Sequence, residues 1–353
     1  MRIRLALVDS DEGYLNRIVT AFNKKYVDKF EIYSFTKLDA ALDGVSKYKI
    51  DVLIASDDFE VDTEKLPSRC GFAYFVDSSD VELVREVQAI CKYQRADLIY
   101  KQILGIYSEL AGEMVGKGTG DSSCKAIAFT APAGGVGTTS AAAACAVRFA
   151  KFGKRVLYLN LDKFGATDLV FSAEGQFDMS DIIFAIKSKK TNLPMKLESC
   201  VRRDKNGVFF FSQPKVALDM MELEAEDESR MLATVRGSNN YDYIIVDKPF
   251  SIGKETIQFF QKMNDIVLVS NGSESANSKT DRALTALLIT EQRSDTPVMS
   301  RISVFYNDYG SKSGKKIANT DMRELGGAPH YSQATIRQVV GELSSLEVFD
   351  KLL

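Results

Sequence analysis

The run Ala131-Pro132-Ala133-Gly134-Gly135-Val136-Gly137-Thr138-Thr139-Ser140 limits the possible folds of this chain more than any other feature. An apolar, strand-like stretch, 125–130, leads into it, and a small-residue helical pattern from Thr139 to about Phe152 leads out. A strand, a glycine-rich turn and a helix in that order aim successive N–H groups and a helix N-terminus at one anion. Phosphate-binding loops of this kind usually end Gly-Lys-Ser/Thr, the lysine reaching the terminal phosphates. Thr138 stands in that lysine's place. The expectation is a chain that holds a nucleotide and is poorly equipped to split it.

Further buried-strand patterns follow at regular intervals. Val156 to Asp162 ends in an acid; Tyr241 to Asp247 ends in another, with Pro249 two residues on. The stretches 266–270 and 302–307 complete the set. Strands alternating with helical patterns predict an α/β, doubly wound parallel sheet.

Together these segments, over roughly residues 125–345, resemble the MinD/ParA superfamily of deviant Walker A ATPases, whose loop reads Lys-Gly-Gly-Val-Gly-Lys-Thr-Thr. The resemblance implies ATP and Mg²⁺ as ligands and a P-loop NTPase fold. Gly134, Gly135, Val136, Gly137, Thr138, Thr139 and Ser140 would form the phosphate cradle. Within it Thr139 would ligate magnesium and Ser140 would touch the α-phosphate. Asp162 matches the aspartate that positions water, and Asp247 the Walker B carboxylate that holds magnesium through water. Asn307 matches the adenine-reading asparagine, and 328–331, with Pro329 and Tyr331, the loop that closes over the base. The family's signature lysine, which reaches into a partner subunit, corresponds to Ala133, and Asn160 replaces the first acid of an Asp-x-Asp pair.

A charge-assisted hydrogen bond to phosphate is worth about 1.5–3 kcal/mol, so losing one lysine weakens binding some ten- to hundredfold. Loss of a cation where charge develops in the transition state costs about 10²–10³ in rate. Binding is therefore expected to survive better than turnover. Lys163 and Lys248, each directly after a site aspartate, are the candidates for a substitute charge.

Residues 1–110 also alternate: strands at 3–8, 30–34, 52–55, 72–76 and near Ile90, with helices through Tyr14 to Phe22, near 37–46, from about Val81 and from about Arg95 to Ala111. This order resembles a response-regulator receiver, a flavodoxin-like domain. Asp9 and Asp11 stand near the receiver's acidic pair, with Ser10 inserted. Ser56 falls on the phosphoacceptor position, Asp57 one residue late, and Lys92 matches the receiver lysine, with Gln94 where proline is usual. A hydroxyl at Ser56 lacks the anionic nucleophile that acyl-phosphate chemistry needs, so a degenerate, docking receiver is expected. A receiver ahead of a MinD/ParA-like domain resembles the TadZ/CpaE pilus-assembly group. That resemblance implies a dimeric localisation factor at a cell pole, with pilus and secretion assembly proteins as partners. Two other readings remain open: a ParA/MinD-type switch acting on DNA or membrane, and a phosphorylation-controlled response regulator labelled at Asp57.

The 353 residues suit two domains: 1–111, a glycine-rich linker over 112–124, and 125–353. A net charge of −3 gives no strong nucleic-acid signal. The basic stretch Lys187 to Lys190, with Lys196 nearby, reads as solvated. Five cysteines without a Cys-x-x-Cys pair and a single histidine offer no zinc site or disulfide framework. No signal peptide pattern opens the chain and no apolar run nears the roughly 18 residues of a span, so a cytoplasmic place is expected. The apolar pattern over 335–353 reads as a last helix packed on the core, because its few cations offer an anionic membrane little.

Overall fold

The computed structural model describes residues 2–110, 124–188, 192–294, 297–310, 314–317 and 322–353. Most of the linker anticipated at 112–124 lies outside the described residues. The chain forms two compact units. Among described residues the first comprises 2–110, 175–177, 184–188 and 192–200, and the second the remainder.

The first unit is built from β1 (Ile3–Val8), α1 (Glu12–Lys25), β2 (Phe30–Phe35), α2 (Leu38–Lys47), β3 (Val52–Ser56), β4 (Gly71–Val76), β5 (Leu83–Val84), β6 (Val87–Cys91) and α3 (Ala96–Leu110). Strand order is β2-β1-β3-β4-β6-β5, parallel apart from β5 against β6. Every residue of β3 is buried, as a strand covered on both faces requires. Helix α1 begins where the Asp11 carboxylate accepts the Tyr14 N–H, and it buries Tyr14, Leu15, Ile18 and Phe22.

The helix anticipated from about Val81 is absent; β5 and β6 form a hairpin there instead. Arg85 and Glu86, at φ 49° and 66°, make its turn. Two successive positive φ values give the turn twist that suits paired strands. Only residues 77–86 separate β4 from its parallel neighbour β6, too short a stretch for an ordinary helical crossover.

Onward come β7 (Lys125–Thr130), α4 (Thr138–Lys151), β8 (Val156–Asn160), α5 (Thr167–Val170), α6 (Met179–Ser188) and α7 (Leu193–Cys200). Then follow β9 (Arg202–Arg203), β10 (Phe209–Phe210), α8 (Leu218–Met221), α9 (Ala225–Gly237) and β11 (Tyr243–Asp247). The chain continues through α10 (Lys254–Phe260), β12 (Asp265–Ser270), α11 (Glu274–Ser294), β13 (Ile302–Tyr306), β14 (Arg323–Gly327) and α12 (Ile336–Leu343). The second sheet runs β14-β13-β12-β7-β11-β8-β10-β9, parallel except for β9. Strand β7 thus lies between β11 and β12, and the glycine loop leaves its carboxyl end. Helix α4 buries Ala141, Ala142, Ala143, Ala144, Cys145 and Ala146 completely. Small side chains let it lie close on the sheet and fix the loop that precedes it.

Within the first unit, α7 covers much of the apolar stripe of α3. The Phe177 ring packs where a Cβ on Gly105 would stand, and the Tyr100 hydroxyl donates to Glu198 at 2.7 Å. Lys196 is buried beneath this contact, its ammonium 4.3 Å from the Phe177 ring centre and 3.6 Å from Glu109. It is not the solvated lysine that its basic surroundings suggested; Lys189 and Lys190 lie outside the described residues.

The C-terminal stretch packs on the second unit's core, as its pattern implied, but in two pieces. Helix α12 buries Val340 and Leu343, and a 3-10 turn at Glu347–Leu352 buries Phe349 against Phe129 and Phe305. Among the described residues no helix is long and apolar enough to cross a membrane.

Candidate functional site

The glycine loop turns at Gly135 and Gly137, both at positive φ (74° and 86°). Gly137 is also the N-cap of α4. Within hydrogen-bond geometry, the N–H groups of Gly135, Gly137, Thr138, Thr139 and Ser140 have no partner among the described residues. Such converging, unpaired donors at the start of a 14-residue helix form an anion cradle. Ala133 and Val136 are buried beneath it, so their side chains brace the loop from below.

Asp247, the last residue of β11, is 4 % exposed. The Tyr158 hydroxyl donates to its Oδ2 at 2.8 Å, and the Thr139 hydroxyl also donates to it. Burial pushes this carboxyl up to about 6; the two hydroxyls oppose that rise and nearby Asp162 adds to it. No lysine or arginine pairs with Asp247 among the described residues.

Asn160 explains how the site tolerates this arrangement. Its Nδ2 lies 3.4 Å from both Tyr158 Oη and Asp247 Oδ2, and its Oδ1 accepts the Asp162 N–H at 2.8 Å. An aspartate there would set a second buried carboxylate against Asp247 with no cation between them. The uncharged amide avoids that repulsion.

Neither substitute lysine is free for phosphate. Lys163 donates to the carbonyls of Met220 and Leu223 at 2.7 and 2.5 Å. Lys248 is buried in an ion pair with Glu228, Nζ to Oε2 2.6 Å, beside the Phe259 ring. Sequence spacing placed both beside site aspartates and carried no signal for partners 20 to 60 residues away.

Asn307 follows β13 and reaches the glycine loop, its Nδ2 donating to the Val136 carbonyl at 3.0 Å. The Asp308 carboxylate meets His330 at 2.6 Å, and the Tyr309 N–H donates to the Ala328 carbonyl. These contacts bring the 328–331 loop beside Asn307, with Pro329 exposed and Tyr331 half-buried. The loop after Asp162 is held by Arg337, which donates to the Leu169 and Asp168 carbonyls at 2.9 and 3.3 Å. Phe164, Leu169, Leu218 and Met221 nevertheless remain exposed around that loop.

In the first unit, the Lys92 ammonium lies 2.9 Å from buried Asp9, 3.4 Å from Asp77 and 3.2 Å from the Ser56 hydroxyl. Burial works to lower the Lys92 pKa, but the Asp9 and Asp77 carboxylates outweigh it and hold the ammonium above its ordinary value. Ser56 is completely buried and Asp57 is exposed, one on each side of the strand end. Asp11 is taken up in capping α1.

Comparison with known proteins decides the family. A model described as the TadZ-like receiver domain matches residues 1–108, and one described as an AAA domain matches 124–293. The chain joins a TadZ-like receiver domain to an AAA domain of MinD/ParA-superfamily type. The septum site-determining protein MinD of Buchnera aphidicola subsp. Acyrthosiphon pisum is 24% identical over 214 residues, 56% of this chain and 73% of that protein. Among solved structures, a ParA family ATPase from Chlorobium tepidum is similar with TM-score 0.50 and 21% identity, covering 64% of this chain and 93% of its own. A chain of the MinC:MinD cell division protein complex of Aquifex aeolicus is similar with TM-score 0.50 and 18% identity, covering 65% of this chain and 95% of its own. Both likenesses bear on the fold.

Proposed function

We propose that this chain is a nucleotide-binding, dimeric scaffold of the TadZ/CpaE kind that places pilus and secretion assembly proteins at a cell pole, with ATP hydrolysis slow or lost. The observation that carries this reading is the commitment of Lys163 and Lys248 to partners of their own, beside a loop with Ala133 and Thr138 in place of lysine. The amide cradle suits the phosphates; the oxygen donors Thr139 and Asp247 suit magnesium. Among the described residues no group of three or more His, Cys, Asp or Glu could hold a metal alone. Magnesium binds by few protein oxygens, keeping waters and phosphate oxygens as its other ligands. When bound it would supply the positive charge that the loop lacks and that no side chain among the described residues gives Asp247. Asp162, whose Oδ1 accepts the Phe164 N–H at 3.1 Å, would position the water, and without cations at the γ-phosphate that is not sufficient for fast turnover. The exposed Phe164, Leu169, Leu218 and Met221 beside the Asp162 loop support a protein contact whose fit depends on nucleotide.

The test is a thermal melt with millimolar ATP and magnesium, alongside light scattering and phosphate release. A clear shift with little phosphate released supports the scaffold. No shift at all removes the nucleotide, and with it the role. Steady turnover abolished by Asp162→Ala would favour a cycling ATPase switch instead.

A further inference from the structure

We infer that Asn307 is a positioning residue of the glycine loop, acting on the phosphate side of the site by fixing the Val136–Gly137 peptide. The inference rests on the nucleotide-binding reading above and names the part Asn307 has in it. Asn307 is 8 % exposed, and its own N–H donates to the Ser270 carbonyl at 2.8 Å, pinning it to the carboxyl end of β12. From there its side chain crosses to the loop that leaves β7, the next strand in the sheet, where Nδ2 meets the Val136 carbonyl at 3.0 Å. Gly137 accommodates this approach: a Cβ there would overlap Asn307 Nδ2, and its φ of 86° is one that other residues rarely adopt.

A trans peptide sets its C=O and N–H in opposite directions. With the Val136 carbonyl turned onto Asn307, the Gly137 N–H is turned away from it, and no protein acceptor takes it up among the described residues. The asparagine amide thereby holds one donor of the anion cradle in place before any ligand arrives. In a loop without lysines the aim of each N–H counts for more, because the amides and the metal carry all the attraction for phosphate. An asparagine that read only the base would not need its amide on the loop carbonyl, nor a glycine beneath it.

The experiment uses the full chain with magnesium and three probes: ATP, GTP and inorganic tripolyphosphate, which has no base. Asn307→Ala and the near-isosteric Asn307→Leu, which removes the donor, keeps the shape and adds no charge, are compared with wild type by calorimetry. Amide hydrogen exchange without ligand is followed in parallel. We expect all three affinities to fall by a common factor of about tenfold, with the ATP-to-GTP ratio unchanged. Exchange should quicken over 134–140 while the melting temperature and exchange elsewhere stay at wild-type values. If ATP weakens and tripolyphosphate does not, Asn307 serves the base and the inference is overturned. Unchanged exchange in the loop, or a general loss of stability in both variants, overturns it as well. Wild-type protein that binds none of the three probes defeats the nucleotide reading itself, a result separable from the others.

Discussion

Each sheet ends in a carboxylate site at the carboxyl edge of its strands, and each site has lost one half of a charge pair, but the opposite half. In the first unit the acid expected at Ser56 is gone and the lysine stayed. Lys92 closes on Asp9 at 2.9 Å, so this buried carboxylate has its counter-charge within the protein. In the second unit the lysines are gone and the acid stayed. Asp247 is buried with two hydroxyls for company, and its carboxyl is pushed up to about 6. A balanced site needs nothing from outside. An unbalanced one leaves buried Asp247 without a cationic partner among the described residues, and the magnesium nucleotide proposed above would supply it.

The sharpest test is to remove the charge on each side. Lys92→Ala leaves Asp9, 1 % exposed, without its partner and should cost about 3–5 kcal/mol in denaturant unfolding of the first unit. Replacing both Lys92 and Asp9 by apolar residues should recover most of that. A loss under about 1 kcal/mol for Lys92→Ala would break the comparison, since Asp9 would then be content alone.

Asp247→Asn should act with the opposite sign. A folded-state pKa near 6 against an ordinary 3.8 means that folding opposes ionisation here. The stabilising proton is fully present below about 4 and is lost as pH rises through about 6. At neutral pH the ligand-free second unit therefore carries a burden of up to about 3 kcal/mol, which the asparagine variant lacks. Unfolding followed by hydrogen exchange in β7, β8 and β11 should give wild-type stability that falls from pH 4 to 7. The variant should give a flatter line and no magnesium-dependent gain with nucleotide. A wild-type profile that is level across this window would show that Asp247 is not strained. Thr138→Lys should then supply the missing half: ATP binding about ten- to hundredfold tighter, a gain of about 1.5–3 kcal/mol. Equal affinity in calorimetry would mean that the loop cannot present a lysine to phosphate.

How far this contrast was legible in the sequence depends on how local each cause is. The strands of both sheets and the glycine turn announce themselves, because four or five consecutive apolar residues followed by Asp, Asn, Ser or Thr leave few alternatives. The empty lysine positions at Ala133 and Thr138 could likewise be read directly. The fates of Lys163 and Lys248 could not, for the Met220 carbonyl and the Glu228 carboxylate meet them only after α8 and α9 fold back. The burial of Lys196 and the grouping of α7 with the first unit were hidden for the same reason. Asn160 read as a defect in an acidic pair; in the fold it sets an uncharged amide 3.4 Å from Asp247 Oδ2, where a second carboxylate would repel it.

The misread helix near Val81 supplies the smallest test, and it bears on the balanced site. The β5–β6 hairpin delivers Lys92, which follows β6 directly and whose N–H donates to the Val76 carbonyl at 2.8 Å. Glu86 sits in its turn at φ 66°, exposed, in a conformation that suits glycine better than any branched or charged residue. Glu86→Gly should raise the first unit's stability by about 0.5–1 kcal/mol, a gain partly offset by the freer unfolded chain. It should slow amide exchange at Lys92 and leave the second unit unchanged. Had a helix occupied this stretch, the same glycine would cost about 1 kcal/mol, so the sign of the change separates the two structures.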